Sequence, residues 1–169
     1  MLRVLNDHEV QYVVVGGIAT ILHGDLTQTV DLDLTPEPSE ANLTRLAKAL
    51  GEMGAGLRVP DLDDPVAVRW HPATFRSMTT ATTRGPLGDL DVVLRPDGVP
   101  GAYEQLAAAA TEREAFGLTI QIASLDDLIA TKRAAAQLTG LPKYEESVAR
   151  LLRLEEAVGT APPRPPQPE

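Results

Sequence analysis

The sequence has no cysteine and few aromatic residues. None of its 169 residues is cysteine, and aromatic side chains make up 4%. A chain without cysteine can form no disulfide, no thiolate metal site and no cysteine nucleophile. No apolar run approaches the roughly 18 residues that span a membrane. The first segment, MLRVLNDHEV, is charged and amphipathic rather than like a signal peptide. We therefore expect a cytoplasmic protein with no membrane partner.

Positive charge is also scarce. The chain has 15 Lys and Arg against 24 Asp and Glu, a formal net charge of −9. Proteins that coat nucleic acid neutralise many phosphates with basic side chains, so this balance argues against coating and against a DNA partner. It leaves room for one RNA end at a local basic site. A patch of basic residues near the C-terminal end fits either such a site or an ordinary solvated face: Lys132, Arg133, Lys143, Arg150 and Arg153.

Apolar periodicity predicts an interleaved order of helices and strands. Helices are predicted at 1–9, GIATILHG, the segment capped by Ser39, YEQLAAAATEREAFG, SLDDLIATKRAAAQL and 143–158. Strands are predicted at QYVVVGG, TVDLDLTP, VAVRW, RSMTTATT, LDVVL and LTIQIA. This order predicts the α+β class, with a mixed sheet flanked by helices and with helices at the C-terminal end. We expect a single domain over 1–158 and a disordered, proline-rich tail over 159–169.

Two carboxylates alternate with apolar residues in TVDLDLTP. Residues two apart in a strand point to the same face, so Asp31 and Asp33 are predicted to lie side by side. The apolar residues around them, Val30 included, should face the core. Adjacent carboxylates repel each other unless a cation lies between them, and oxygen ligands without cysteine favour Mg²⁺ or Mn²⁺. Asp91, in the similar segment LDVVL, is a candidate third ligand if the two strands are neighbours.

The same alternation also fits an edge strand with a solvated face, where aspartate discourages aggregation. A glycine pair upstream favours the metal site. Gly16 and Gly17 follow an apolar strand and precede a helix. Glycine lets the backbone approach a ligand closely, and a helix N-terminus offers free N–H groups to phosphate. A turn that can hold phosphate, followed closely by a carboxylate pair, indicates a metal-dependent nucleotide site.

This combination resembles the nucleotidyltransferase superfamily built on the DNA polymerase β-type palm. Its pattern is a Gly-Gly or Gly-Ser turn, a short helix, Asp-x-Asp on a strand and a third acid on a later strand. Gly16-Gly17, Asp31, Asp33 and Asp91 match it. The chain is similar to the minimal nucleotidyltransferases of the AbiEii toxin type over VVVGGIATILHG…TVDLDL, LGDLDVVL and IASLDDLIATKRAAA. The resemblance covers most of residues 10–136, with gaps.

The resemblance implies a polymerase β-like palm and a Mg²⁺- or Mn²⁺-dependent nucleotidyltransferase, a toxin of a toxin–antitoxin system. It implies an NTP substrate with its phosphates over Gly16-Gly17 and transfer of NMP to a tRNA 3′ end or a protein hydroxyl. A cognate antitoxin is the implied protein partner, and aminoglycoside-like acceptors stay open. Lys132 matches a lysine that contacts phosphate and takes part in catalysis. Thr29 is either a nucleotide contact or a hydroxyl whose modification blocks the site.

The sequence departs from the toxin-type pattern in two places. Thr27 stands where an arginine often follows the His-Gly pair. Tyr144 stands where an acid often follows the lysine that Lys143 matches, and Glu145 or Glu146 is a candidate substitute. These departures favour an alternative from another class, a catalytically silent binding module that keeps the fold and acts as an antitoxin or scaffold.

Overall fold

A computed structural model describes residues 1–25 and 28–160. The helices are α1 (Leu2–Asp7), α2 (Gly16–Leu22), α3 (Glu40–Glu52), α4 (Pro72–Arg76), α5 (Ala102–Ala109), α6 (Leu125–Thr139) and α7 (Pro142–Thr160). The strands are β1 (Tyr12–Val15), β2 (Asp31–Pro36), β3 (Gly56–Leu57), β4 (Thr80–Gly85), β5 (Gly88–Val93), β6 (Thr111–Ala115) and β7 (Leu118–Ile122). Helix α7 continues two residues past its predicted end. Thr27 and residues 161–169 of the predicted tail lie outside the described residues.

The seven strands form one mixed sheet in the order β3-β4-β5-β2-β1-β7-β6. Strand β2 is parallel to β5 and β1 is parallel to β7, while the other neighbours are antiparallel. The parallel pairs need long crossovers, whereas β4–β5 and β6–β7 are hairpins. In the second hairpin Phe116 and Gly117 both have positive φ, 56° and 73°, as a two-residue type I′ turn requires. The predicted α+β class with a mixed sheet and C-terminal helices is confirmed.

The central strands β2 and β5 bury one face and present carboxylates on the other. Four aliphatic residues on the buried face are at most 4% exposed: Leu32, Leu34, Leu90 and Val92. Helix α3 contacts β2, and Ser39 caps its start as the sequence predicts. The Ser39 hydroxyl accepts a hydrogen bond from the N–H of Asn42. The prediction that Val30 faces the core is wrong, since its side chain is 91% exposed. Val30 precedes the first residue of β2, so the strand alternation does not extend to it.

The predicted helix YEQLAAAATEREAFG is too long. Helix α5 ends at Ala109, Ala110 has the extended angles φ −60° and ψ 149°, and Thr111–Ala115 form β6. The charged residues of TEREA suit a helix surface as well as an edge strand. Antiparallel pairing with β7 along the full length of β6 decides between the two conformations.

The predicted strand VAVRW is also wrong, and a short strand, β3, lies before it where the sequence predicts none. Val66 makes an isolated bridge to Leu57 of β3, and the following residues form no strand. Trp70 is 8% exposed and stacks on Phe75 of the short helix α4, with ring centroids 5.5 Å apart. The segment is held by burial of this tryptophan, by the bond from its indole N–H to the Ala55 carbonyl (2.7 Å), and by the two backbone bonds between Val66 and Leu57.

The C-terminal helices α6 and α7 pack against each other. Ser124 caps the start of α6, where its hydroxyl accepts a hydrogen bond from the Asp127 N–H, and Gly140 caps its end in the left-handed conformation with φ 65°. Helix α7 also contacts the segment before β2 through an ion pair, in which Arg150 Nε lies 3.2 Å from Asp25 Oδ2. Among the described residues, no helix is long and apolar enough to cross a membrane.

Candidate active site

The three predicted acidic residues meet on the polar face of the sheet. Asp31 and Asp33 lie on β2, and Asp91 lies on β5 beside it. The parallel register places Asp33 directly opposite Asp91. Among the described residues these form the one group of three or more acidic or histidine side chains that could hold a metal ion, with ligand atoms within 4.8 Å of one another. We call these three residues the aspartate triad.

The electrostatics of the aspartate triad fit a divalent cation. Burial and the nearby charges of Asp31 and Asp91 raise the pKa of Asp33 from 3.8 to about 6. Burial also raises the pKa of Asp91. One oxygen of Asp91, Oδ1, is buried and has no hydrogen-bond partner among the described residues. A cation bound by three carboxylates would satisfy this oxygen and offset the repulsion, so the donor set suits a hard ion such as Mg²⁺ or Mn²⁺.

The two glycines make room for the aspartate triad. Gly16 has φ +61°, and a Cβ atom there would lie 2.0 Å from Asp33 Oδ2. A Cβ atom on Gly17 would lie 2.6 Å from the side chain of Thr29. The N–H of Gly17 donates to the Asp33 carboxylate and lowers its pKa. Glycine is therefore needed here so that acidic and hydroxyl side chains can pack against the backbone, a reason that the sequence pattern does not supply.

Thr29 lies next to the aspartate triad. Its hydroxyl donates to Asp31 Oδ1. This bond orients one carboxylate oxygen of Asp31 and leaves the other for a ligand. The two alternative roles of Thr29, as a nucleotide contact or as a hydroxyl that is modified, stay predictions.

Lys132 also lies near the aspartate triad. Its ammonium group lowers the pKa of Asp33 electrostatically. The Lys132 Nζ atom is 5.8 Å from the ring centre of Tyr144, and the Lys143 Nζ atom is 4.9 Å from the same ring centre. Tyr144, which stands where the toxin-type pattern often has an acid, thus contacts both lysines through its ring. Glu145 and Glu146 are exposed on α7 and do not belong to the triad.

A fourth carboxylate on the same face was missed by sequence reasoning. Asp89 pairs with Asp31 in the β2–β5 register. Arg84 binds it through two nitrogens, at 2.7 and 2.8 Å, and Arg58 NH1 binds it at 2.9 Å. The bonds from Arg84 lower the pKa of Asp89. The alternation in GDLDVV could have revealed Asp89, but nothing in the sequence identifies its arginine partners.

Comparisons with known proteins identify the fold through solved structures alone. No family model matches the chain, and no curated protein matches it. The lincosamide antibiotic adenylyltransferase LnuA, bound to lincomycin, has a TM-score of 0.53 at 12% identity, covering 90% of this chain and 92% of that one. ANT(2'')-Ia in complex with adenylyl-2''-tobramycin has a TM-score of 0.54 at 17% identity, covering 94% and 92%.

A third solved structure is also similar to this chain. The nucleotidyltransferase-like protein of Paracoccidioides brasiliensis has a TM-score of 0.53 at 20% identity, covering 89% of this chain and 69% of that one. These likenesses span nearly the whole of this chain. The chain has the nucleotidyltransferase fold. In this fold the aspartate triad lies on two neighbouring central strands. The finer prediction, that the protein is of the AbiEii type, stays a prediction.

The raised pKa of Asp33 makes the stability of the metal-free protein depend on pH. The folded-state pKa of Asp33, about 6, lies above its ordinary value of 3.8. Ionisation of Asp33 therefore lowers the free energy of unfolding, fully above about pH 6 and not at all below about pH 4. The penalty is at most about 3 kcal/mol. In urea denaturation with EDTA, Asp33→Asn should therefore unfold at higher urea than the wild type at pH 7.5. We expect this difference to shrink at pH 4.5, and equal differences at both pH values would contradict it.

Proposed function

We propose that the protein is a Mg²⁺- or Mn²⁺-dependent nucleotidyltransferase. The observation that carries the proposal is the aspartate triad, whose ligand atoms lie within 4.8 Å of one another on the central strands of a nucleotidyltransferase fold. A divalent ion held by Asp31, Asp33 and Asp91 would stabilise negative charge on the phosphoryl group being transferred. The same ion would offset the repulsion that raises the pKa of Asp33.

The residues around the aspartate triad have distinct roles in this proposal. The triphosphate of an NTP lies beside the Gly16-Gly17 turn, against which the side chains of Asp33 and Thr29 pack. Lys132 neutralises phosphate charge, and the ring of Tyr144 restricts its ammonium group. Thr29 orients Asp31 through its hydrogen bond and borders the nucleotide.

The proposed reaction transfers a nucleoside monophosphate to a hydroxyl group. Asp91 takes the proton of the acceptor hydroxyl through a carboxylate oxygen that the ion does not hold. The acceptor oxygen forms a bond to the α-phosphorus in line with the bond that breaks to the bridging oxygen of the β-phosphate. Pyrophosphate leaves with that oxygen, and the transferred group keeps its charge.

The acceptor that we propose is the 3′ end of a tRNA or a protein hydroxyl, and the biological role is that of a toxin restrained by a cognate antitoxin. The support is the resemblance in sequence over residues 10–136. The basic residues of α6 and α7 supply Lys132 and Lys143 near the site, whereas Arg150 is engaged with the buried Asp25. We further propose that the protein acts in the cytoplasm and that residues 1–158 form one domain.

Label transfer tests this proposal. The protein is incubated with Mg²⁺, each α-labelled NTP, and either total tRNA or lysate protein. We expect label to move to one acceptor class, to need the divalent ion, and to be abolished by Asp31→Ala. Asp63→Ala is the matched control, because Asp63 is an exposed carboxylate in the loop before Trp70.

The second candidate is a catalytically silent binding module. Tyr144 in place of an acid is the observation that favours it, and Thr27, outside the described residues, is the other departure. Absence of transfer with every NTP, together with absence of Mg²⁺-dependent NTP binding, would support this candidate and contradict the enzyme. Transfer to an antibiotic such as those bound by LnuA or ANT(2'')-Ia would retain the reaction but replace the acceptor.

A further inference from the structure

Beside the aspartate triad lies a second charged group, made of Asp89 with Arg58 and Arg84. We call Arg58 and Arg84 the arginine pair. The Asp89 side chain is 15% exposed, and the two arginine side chains are 42% and 47% exposed. Two guanidinium groups share one carboxylate, so one positive charge is left over. The exposed arginine ends therefore carry a net positive charge at the edge of an acidic site.

The sheet register puts the arginine pair in line with the aspartate triad. The N–H of Arg58 donates to Thr82, and Thr82 pairs with Asp91, which pairs with Asp33. In the next row Arg84 pairs with Asp89, which pairs with Asp31. The backbone of Arg58 is thus two strand spacings, about 10 Å, from that of Asp91. Arg58 is close enough to lower the pKa of Asp91.

The arginine pair lies on the side of the triad away from Lys132. In the strand order, β4 and β3 flank β5 on one side, whereas β1 flanks β2 on the other. Helix α2 contacts β1, β2 and α6, and α6 carries Lys132. If the triphosphate lies by Gly16-Gly17 and Lys132, the strip over β4 and β5 is left for the acceptor. The residues of that strip are all at least partly exposed: Thr82, Arg84, Asp89 and Asp91.

The arginine pair keeps donors that Asp89 does not use. Arg84 binds Asp89 through Nε and NH2, which leaves NH1. Arg58 binds it through NH1, which leaves Nε and NH2. Asp89 fixes the plane of Arg84 through two bonds and anchors Arg58 through one, so these donors lie near Asp89 before any ligand binds. A fixed, partly exposed guanidinium pair with spare N–H groups suits the oxygens of a phosphate.

We propose that the arginine pair is an acceptor subsite that binds a phosphodiester of an RNA strand, next to the hydroxyl that receives the nucleotide. The proposal rests on the proposed function and adds to it the residues that select the acceptor. An amine-bearing acceptor is repelled by the left-over positive charge, and a protein hydroxyl brings no phosphate to this position. Asp89 acts as a positioning residue because it holds both guanidinium groups.

The test combines protein and RNA variants. The proteins are wild type, Arg58→Gln, Arg84→Gln and Arg76→Gln. Arg76 is the matched control, because it is an exposed arginine that also pairs with a carboxylate. Its partner is Glu40, with an N–O distance of 2.8 Å, and neither residue belongs to the triad. The acceptors are a tRNA-like RNA hairpin and the same hairpin with its terminal phosphodiesters replaced, one at a time, by uncharged methylphosphonate. The measurements are KM and kcat for each acceptor, the affinity for Mg²⁺ with a non-hydrolysable NTP analogue, and unfolding by urea.

We expect Arg58→Gln and Arg84→Gln each to raise the acceptor KM about tenfold, the effect of losing one charge-assisted hydrogen bond. Affinity for the NTP analogue should stay within about twofold, since the arginine pair lies on the acceptor side. One methylphosphonate position should raise the wild-type KM and remove the difference between wild type and the arginine variants. If the arginines had only a structural role, the acceptor KM would still differ between wild type and the arginine variants on that hairpin.

Other outcomes overturn the inference. An unchanged acceptor KM in both arginine variants, with normal NTP binding, means that the pair does not hold the acceptor. Equal effects of the arginine substitutions on every methylphosphonate hairpin mean that they act through the fold. Transfer to protein but not to RNA replaces the acceptor class. If wild type binds no NTP analogue and labels no acceptor, the proposed function itself has failed, and the kinetic and binding measurements on the wild type reveal this.

Discussion

Replacing Asp33 with asparagine is expected to lower nucleotidyl transfer by about 10³-fold or more while the protein stays folded. Asp33 lies at the centre of the aspartate triad, opposite Asp91 and two residues from Asp31 along β2. A divalent ion supplies several kcal/mol of charge stabilisation in phosphoryl transfer, and asparagine is a weak ligand for it. The measurement is the initial rate of label transfer at saturating NTP over a range of Mg²⁺ concentrations.

Metal binding gives a readout that does not depend on the acceptor. Mg²⁺ or Mn²⁺ should raise the melting temperature of the wild type, because the ion binds the folded state and relieves the carboxylate repulsion. Asp33→Asn should abolish most of this shift, whereas Asp63→Asn, in an exposed loop, should keep it. Activity of Asp33→Asn within tenfold of wild type, or an undiminished Mg²⁺ shift, would remove the triad from the proposed mechanism.

The local sequence pattern predicts which strand face carries each aspartate, but it does not predict that the three aspartates lie close together. The alternation in TVDLDLTP and LDVVL places each carboxylate on the polar face of its strand, and this requires only the two-residue period. Their approach depends on parallel pairing of β2 with β5, two strands separated in sequence by α3, β3, α4 and β4. No local signal fixes the register of such a pair, and a slip of one residue would turn the carboxylates to the opposite face.

The sequence predicts even less about which charged and aromatic side chains contact each other around the triad. Arg58, directly after β3, and Arg84, on β4, both reach Asp89, and the sequence predicts no strand in the segment around β3. Lys132 and Lys143 share the Tyr144 ring because Gly140 turns the chain between two helices. In both cases long side chains meet through tertiary packing, which periodicity does not encode. The charged segment TEREA becomes β6 for the same reason, since its pairing with β7 outweighs its helical composition.

Gly16→Ala is expected to reduce transfer by about 10²-fold or more and to weaken Mg²⁺ binding, although it removes no polar group. The added Cβ would lie 2.0 Å from Asp33 Oδ2 and 2.6 Å from Asp33 Cγ, so the carboxylate must move away from Asp31 and Asp91. An ångström of displacement in a metal ligand is enough to cost this much activity. The measurements are the transfer rate and the Mg²⁺-induced shift in melting temperature.

The control for Gly16→Ala separates backbone strain from displacement of Asp33. Gly117, in the turn between β6 and β7, has φ +73°, and a Cβ atom there would meet nothing within 4 Å. Gly117→Ala therefore carries a similar left-handed penalty of about 1 to 2 kcal/mol without a clash. We expect both variants to lose stability but only Gly16→Ala to lose metal binding. Equal loss of activity in the two variants would mean that strain, rather than the place that Gly16 leaves for Asp33, explains why glycine is needed.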